Sequence, residues 1–271
     1  MAGPKLQAPK GTFDVLPPDG ERRRALARAC EDTFAAYGYA YAETPAFEDT
    51  EVFARGVGES SDIVQKEMFT FEDKAGRSLT LRPENTAGIC RSYVEHGMHK
   101  LPQPVKLWYW GSFFRHEAPQ AGRYRQFNQV GIEALGSDDP SLDAEVIVML
   151  ADLLEQSGAK GIRLKLASLG SIESRRAYLD ELRSFLRARE DDLSEEVRGR
   201  IDSNPLRAFD ADHEGTRAAV AQAPKLLDSL DGEDSEHFAA VRELLDGAGV
   251  GYVIDPTLVR GLDYYTRTVF E

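Results

Sequence analysis

Residues 105–136 read VKLWYWGSFFRHEAPQAGRYRQFNQVGIEALG, and the fold is decided here. Apolar residues alternate on both sides of a polar segment that holds Pro119 and Gly122, which predicts two strands joined by a loop of about ten residues. Side chains along a strand point alternately to opposite faces. Arg115 therefore shares a face with Leu107, Tyr109, Gly111 and Phe113, while Phe127, Gln129, Gly131 and Glu133 share one on the returning strand. A buried guanidinium or carboxylate is costly without a partner. Arg115, Gln129 and Glu133 beside the side-chain-free Gly111 and Gly131 thus suggest a floor on which a charged ligand rests. An antiparallel hairpin with a solvated loop and one internal ion pair satisfies the same pattern. The loop adds Glu117, Arg123 and Arg125.

Two further stretches carry chemistry. EMFTFEDKAGRSLTLRPENTAG, residues 67–88, reads as a hairpin with strands over 68–72 and 79–82 and a turn around Ala75 and Gly76. After the rigid Pro83, the run Glu84, Asn85, Thr86 opens a helix to about Gly97, where a carboxylate is an ordinary cap. TLVRGLDYYTRTVFE, residues 257–271, sets Arg260 before Gly261 and places Tyr264 and Tyr265 side by side. Taken alone, a structural arginine and two core tyrosines explain that stretch equally well.

The chain has 271 residues, 42% of them hydrophobic, enough for one large domain and a smaller one with a sizeable core. Its net charge of −13 repels polyanions at long range and argues against a bulk DNA binder. Cys30 and Cys90 form no CxxC pair and accompany no histidine cluster, so a disulfide framework and a zinc site are both disfavoured and two buried thiols are expected. No apolar run approaches 18 residues, and MAGPKLQAPKGTFD lacks the apolar centre of a signal peptide, so cytoplasmic residence and no membrane contact are expected.

In chain order, an extended lead-in ends at Pro17 and Pro18, and a helix from Asp19 or Gly20 to about Tyr37 carries Leu26, Cys30, Phe34 and Tyr37 on one stripe, with Gly38 as the stop. YAYAETPAFEDTEVF follows as a short strand that breaks at Pro45, and GVGESS, residues 56–61, as a polar loop. Asp139 and Pro140 start a helix with Leu142, Val146, Met149, Leu150, Leu153 and Leu154 along one side, stopped by Gly158 and expected to pack across the sheet. GIRLKLASLGS alternates Ile162, Leu164 and Leu166 against Arg163 and Lys165, a strand with one wet face. Residues 171–249 are charged and helix-rich without strand signal, and read as a helical insertion between strands of one sheet. GAGVG at 247–251 follows a helix and precedes a strand, the reverse of a dinucleotide fingerprint, so it reads as a helix stop and turn.

FRHEAPQAGRYRQFNQ, residues 114–129, resembles the second signature motif of class II aminoacyl-tRNA synthetases, and with the following GIE it is similar to histidyl-tRNA synthetases specifically. RPExT at 82–86 resembles their histidine-binding entrance, and LVRGLDYYTRTVFE at 258–271 their histidine-specific motif. The resemblance spans essentially the whole chain. It implies an α+β fold, an antiparallel sheet flanked by helices with a helical insertion, in a homodimer whose interface includes Pro45. The catalytic core would occupy 1–170 and 251–271, with the insertion at 171–250 lying over the site and offering Arg175, Arg176 and Arg183 to a tRNA acceptor stem.

By the same resemblance, Glu84, Thr86 and Gln129 receive the α-ammonium of histidine, Glu133 accepts an imidazole N–H, and Tyr264 and Tyr265 line the ring. Arg115 and Arg260 clamp the carboxylate and the α-phosphate of ATP, Glu117 faces the adenine end and Arg123 reaches the γ-phosphate; Arg260, Arg115 and Gln129 are the catalytic candidates. Arginine suits these places because its planar fork makes paired, charge-assisted hydrogen bonds. The implied partners are L-histidine, ATP with its magnesium, and tRNA(His), and the implied reaction is formation of histidyl-adenylate and transfer to that tRNA. No protein ligand for magnesium or any other metal is named. Two departures stand out. Asn85 occupies a place where a small residue, usually glycine, is expected, and the chain stops at Glu271, before the family's third motif and its anticodon-binding domain. The expectation is a catalytic-core fragment impaired in ATP use. The alternative is a histidine-sensing paralogue such as the regulatory subunit of ATP phosphoribosyltransferase, against which Arg115, Arg123 and Arg260 argue, because a sensor has no use for ATP-binding arginines.

Overall fold

The computed structural model describes residues 6–57, 63–117, 122–260 and 264–271. Pro119, Gly261 and residues 58–61 of the expected polar loop lie outside the described residues. The chain divides into two compact units, one of Met1–Ser137 with Asp152–Gly158, the other of Asp138–Ala151 with Ala159–Glu271.

In the first unit, helix α1 (Asp19–Ala36) has acidic Asp19 and Glu21 in its first turn, where the helix dipole favours them. It ends at Gly38, whose φ of 81° suits a residue without a Cβ. Cys30, Thr33 and Phe34 turn inward, whereas Leu26, expected on the buried stripe, is 40% exposed. The single strand expected around Pro45 is two: β1 (Ala40–Tyr41) and β2 (Phe47–Asp49), in different sheets, with Pro45 exposed between them. A short helix, α2 (Thr50–Val57), buries Phe53 and takes in Gly56, which had read as loop. The hairpin β3 (Phe69–Glu72) and β4 (Ser78–Leu81) and helix α3 (Thr86–Glu95) lie where the sequence placed them.

The decisive pair, β5 (Val105–Phe114) and β6 (Gln126–Leu135), is antiparallel in unbroken register from Val105 opposite Leu135 to Phe114 opposite Gln126. Leu107, Tyr109, Gly111 and Phe113 directly oppose Glu133, Gly131, Gln129 and Phe127, so both sets share one face. Ile89 of α3 packs on that face with Leu107, Tyr109 and Phe113, and on the other Phe34 of α1 lies 5.4 Å from the Trp108 ring. The sheets run β1-β5-β6 and β2-β4-β3, with β1 parallel to β5.

Gly111 and Gly131 are not an open floor. A Cβ on Gly111 would lie 2.2 Å from Nη2 of Arg82, and one on Gly131 would lie 2.3 Å from the Tyr109 ring, so the chain's own side chains fill the space the glycines leave.

Helix α4 (Pro140–Gln156) starts where Asp139 accepts the Ser141 N–H at 2.8 Å and stops before Gly158. In the second unit its Ala144 and Ile147, rather than the expected Leu142, Val146 and Leu150, are buried with Leu166 of β7 (Leu164–Ser168). Then come α5 (Ile172–Arg187), α6 (Glu195–Arg198), α7 (Glu214–Ala221) and α8 (Gly232–Gly247), before β8 (Tyr252–Ile254) and β9 (Thr268–Phe270). The sheet order is β8-β7-β9, with β7 parallel to β8 and antiparallel to β9, so the helical stretch connects two parallel neighbours as a crossover must. Its Tyr178, Leu182, Leu186, Val197, Ile201 and Val220 share one core with Ala167 of β7, Leu169 just beyond it and Val269 of β9. Gly249, at φ 73°, ends α8, as the GAGVG reading expected.

Because the Tyr109 ring occupies the space over Gly131, Gly131→Ala is expected to destabilise the protein by about 1–3 kcal/mol in urea unfolding. Adding Tyr109→Leu should return part of that loss, giving a double mutant less destabilised than the sum of the singles.

Candidate functional site

The RPENT run becomes a site because Arg82 is buried. After β4, its guanidinium donates to the Thr44 carbonyl at 2.8 Å and the Ser112 carbonyl at 3.0 Å, and lies 4.8 Å from the Phe113 ring centroid. The Phe114 N–H returns a bond to the Arg82 carbonyl at 3.0 Å. The segment leaving β4 is thereby fastened to β5.

Asn85 is accommodated through its Oδ1 alone, its Nδ2 being buried without a hydrogen-bond partner among the described residues. Its φ of −120° needs no glycine, and its Oδ1 accepts the Thr44 hydroxyl at 2.5 Å. With that side chain engaged, the capping of α3 falls to Glu84, whose carboxylate accepts the Ala87 N–H at 3.1 Å and 3.3 Å. Thr86 donates its hydroxyl to Glu133 at 2.8 Å, and the Tyr109 phenol also hydrogen-bonds Glu133. Burial pushes the Glu133 carboxyl up to about 7; the Glu84 charge adds to this, while Thr86 and Tyr109 oppose it. Burial raises Glu84 too, against the pull of the Ala87 and Thr86 hydrogen bonds and the Arg115 charge. Arg115 donates from Nε to the Pro83 carbonyl at 3.0 Å with its guanidinium 5.2 Å from the Phe127 ring centroid, and Gln129 opposes Gly111 on the same face. Two carboxyls held above their usual range, ringed by hydroxyls and an amide beside one guanidinium, form a place suited to a small zwitterion.

Cys90, one turn beyond Thr86, is exposed, contrary to the buried thiol expected. Local desolvation and the charges of Glu133 and Glu84 raise its pKa, which makes it a poor nucleophile near neutrality. Cys30 is fully buried, as expected. In the connection after β5, Glu117 accepts from Arg123 at 3.3 Å and its carbonyl accepts from Arg125 at 3.3 Å, so Glu117 and Arg123 form an ion pair.

The second unit brings together Arg260, Tyr264 and Tyr265. The tyrosine rings stack, 5.0 Å apart and 18° from parallel, and the Arg260 guanidinium lies 5.9 Å from the Tyr265 centroid and 3.8 Å from the Glu271 carboxylate. Of the three arginines expected to face tRNA, Arg176 is exposed and Arg183 pairs with Asp180 at 2.6 Å. Arg175 is buried and donates to the Tyr265 carbonyl at 3.0 Å, so it does not present its charge at the surface. Sequence reasoning missed Arg82 and Tyr109. For Tyr109 a legible signal existed, since it stands opposite Gly131 across the strand pair; Arg82 lies past the end of β4, in a different sheet from Gly111, and carried no such signal.

A carboxyl with a raised folded pKa stabilises the fold when protonated, and the contribution disappears as pH rises through that pKa. Between pH 5 and pH 8 the ligand-free protein should therefore lose about 2 to 3 kcal/mol of unfolding free energy relative to Glu133→Gln, which keeps an acceptor for Thr86. Urea titrations of both proteins across that range, giving parallel slopes, would contradict the raised carboxyl.

Comparison with known proteins gives the family. The profile of the histidyl-tRNA synthetase family matches residues 11–271. The chain is 50% identical over 272 residues to a histidine–tRNA ligase of Rubrobacter xylanophilus, covering 97% of this chain and 64% of that protein. It is likewise 50% identical over 266 residues to one of Corynebacterium jeikeium, covering 98% and 60%. Among solved structures, apo histidyl-tRNA synthetase of Staphylococcus aureus superposes with a TM-score of 0.79 at 37% identity, over 98% of this chain and 61% of that one. An ATP phosphoribosyltransferase regulatory subunit/histidyl-tRNA synthetase of Bacillus halodurans shares the fold, with a TM-score of 0.71 at 24% identity over 98% and 72%. The chain thus spans less than two thirds of the length of these two ligases, and it belongs to the histidyl-tRNA synthetase family.

Proposed function

We propose that this chain recognises L-histidine and ATP and serves formation of histidyl-adenylate and its transfer to tRNA(His). The observation that carries the reading is the Glu84, Thr86 and Glu133 cluster, a desolvated acidic group with its hydroxyl already aimed at a carboxylate. Glu84, Thr86 and Gln129 take the α-ammonium, Glu133 the imidazole N–H, and Tyr264 and Tyr265 the ring face. Arg115 and Arg260 hold the carboxylate and α-phosphate, with Gln129 beside them, while Glu117 and Arg123 serve the adenine and γ-phosphate ends of ATP. In-line attack of the histidine carboxylate on the α-phosphorus needs positioning and charge neutralisation from these groups more than covalent help. Magnesium would travel with the ATP phosphates. Among the described residues no three acidic, histidine or cysteine side chains gather as metal ligands.

Residues 1–170 and 251–271 are read as one catalytic core interrupted by the insertion at 171–250, and the exposed Pro45 as part of a homodimer interface. Among the described residues no helix is long and apolar enough to cross a membrane. A histidine-sensing role, favoured only by the shared fold, predicts histidine binding without ATP binding.

Calorimetric titration of the 271-residue chain with L-histidine and then ATP tests the reading: both should bind, and absence of a histidine isotherm would refute it. Glu133→Leu should weaken histidine at least tenfold, because it leaves an imidazole N–H unpaired. In pyrophosphate exchange by the histidine-activating protein, Arg260→Ala should lower the rate about a hundredfold with a smaller change in histidine affinity, and equal rates would remove Arg260 from the chemistry.

A further inference from the structure

The short loop that carries Tyr264 and Tyr265 is held from the helical stretch between β7 and β8. Tyr265 packs against the core that this stretch shares with β7 and β9, and its carbonyl accepts from Arg175, which is 7% exposed in the first turn of α5. Two residues on, Arg267 has φ 54° and is the single non-glycine residue with a left-handed backbone among the described residues. That conformation is unfavourable for a residue with a Cβ and persists only where the surroundings impose it. Here they do. The Arg267 N–H donates to the Gly170 carbonyl at 2.8 Å and its carbonyl accepts the Leu169 N–H at 2.7 Å. Its side chain reaches the Asp234 carboxylate at 3.4 Å and that of Asp138 at 3.6 Å.

Asp234 is the junction. It is 2% exposed at the start of α8, and its Oδ2 accepts both the Ser171 N–H and the Ser174 hydroxyl at 2.6 Å. One carboxylate therefore joins the first turns of α5 and α8, and its other oxygen faces Arg267. A Cβ on Gly170 would stand 2.7 Å from the Ser174 hydroxyl and 3.2 Å from Asp234, so the junction is also closed sterically. A simple fastening of β9 to β7 needs neither a left-handed arginine nor a buried charge, because the strand pairing of Ser168 with Thr268 already supplies it.

We infer that Arg175 and Asp234 of the insertion, together with Arg267 of the stretch that follows it, are positioning residues that fix the stacked tyrosine pair, and so set how well the niche fits an imidazole ring. This rests on the reading of Tyr264 and Tyr265 as walls of the histidine site. The helical stretch then acts on amino-acid recognition as well as on anything it meets at its surface.

The test compares the full chain with Arg267→Gly, which keeps the backbone conformation and removes the side chain, and with Asp234→Asn, Arg175→Met and the double variant of the first two. Histidine titration at 25 °C is read beside thermal unfolding. Arg267→Gly and Asp234→Asn should each weaken histidine about tenfold, with the double variant no weaker than the weaker single. Lowered melting temperatures with histidine affinities within twofold of the parent would reduce the three residues to fasteners and overturn the inference. Should Asp234→Asn fail to fold, Arg267→Gly and Arg175→Met carry the comparison, since both leave the serine bonds of Asp234 intact. If the parent chain binds no histidine, the functional reading fails separately. The positioning claim is then decided by ring resonances of 13C-labelled tyrosine, assigned with Tyr264→Phe and Tyr265→Phe. Shifts in both variants uphold it, and unchanged resonances overturn it.

Discussion

The guanidinium of Arg82, seated where Gly111 has no side chain, is the constraint on which the first unit depends. A buried arginine must satisfy its donors inside the protein. The partners it finds are the carbonyls of Thr44, in the connection between β1 and β2, and of Ser112 in β5. The RPENT segment therefore leaves β4 already fastened to β5, and Glu84 and Thr86 need only the first turn of α3 to face Glu133. The glycine that looked like room for a ligand is room for this arginine.

A second economy of the same kind sits two residues along the strand. Tyr109 lies across Gly131 and reaches Glu133, so the carboxyl is held by a hydroxyl from α3 and a phenol from β5. Neither bond supplies a positive charge. The carboxyl stays desolvated with its pKa near 7 and has most to gain from a cationic partner brought by a ligand. Glu84, though it caps a helix, is raised for the same reason. The cap and the functional reading of Glu84 are thus compatible, because a carboxylate has more lone pairs than one N–H consumes.

The second unit uses buried charge differently. Arg175 and Asp234 belong to helices whose exposed faces are as charged as composition suggested, yet these two point inward. Arg175 donates to the Tyr265 carbonyl, and Asp234 pairs with Arg267 two residues further on. In helical sequence a charged residue is usually solvated. Which ones are not depends on what the far end of the chain brings to them.

The sequence by itself determined the elements and their order. Alternation along 105–114 and 126–135, the proline and glycine punctuation at Pro18, Gly38, Pro140 and Gly158, and the uninterrupted helical pattern of 171–249 are all written in neighbouring residues. Its motifs also named Glu84, Thr86 and Glu133 of one cluster and Arg260, Tyr264 and Tyr265 of the other, but not Arg82 or Tyr109. Only the tertiary structure decided that Gly111 and Gly131 are occupied, that Leu26 and Cys90 face outward, that Ala144 and Ile147 rather than Leu150 line the α4 interface, and that Arg175 buttresses Tyr265. Each of these turns on a contact between residues distant in the chain, such as Arg82 with Ser112 or Arg175 with Tyr265. Local periodicity carries no information about which far-off side chain will arrive to fill a gap or to neutralise a charge.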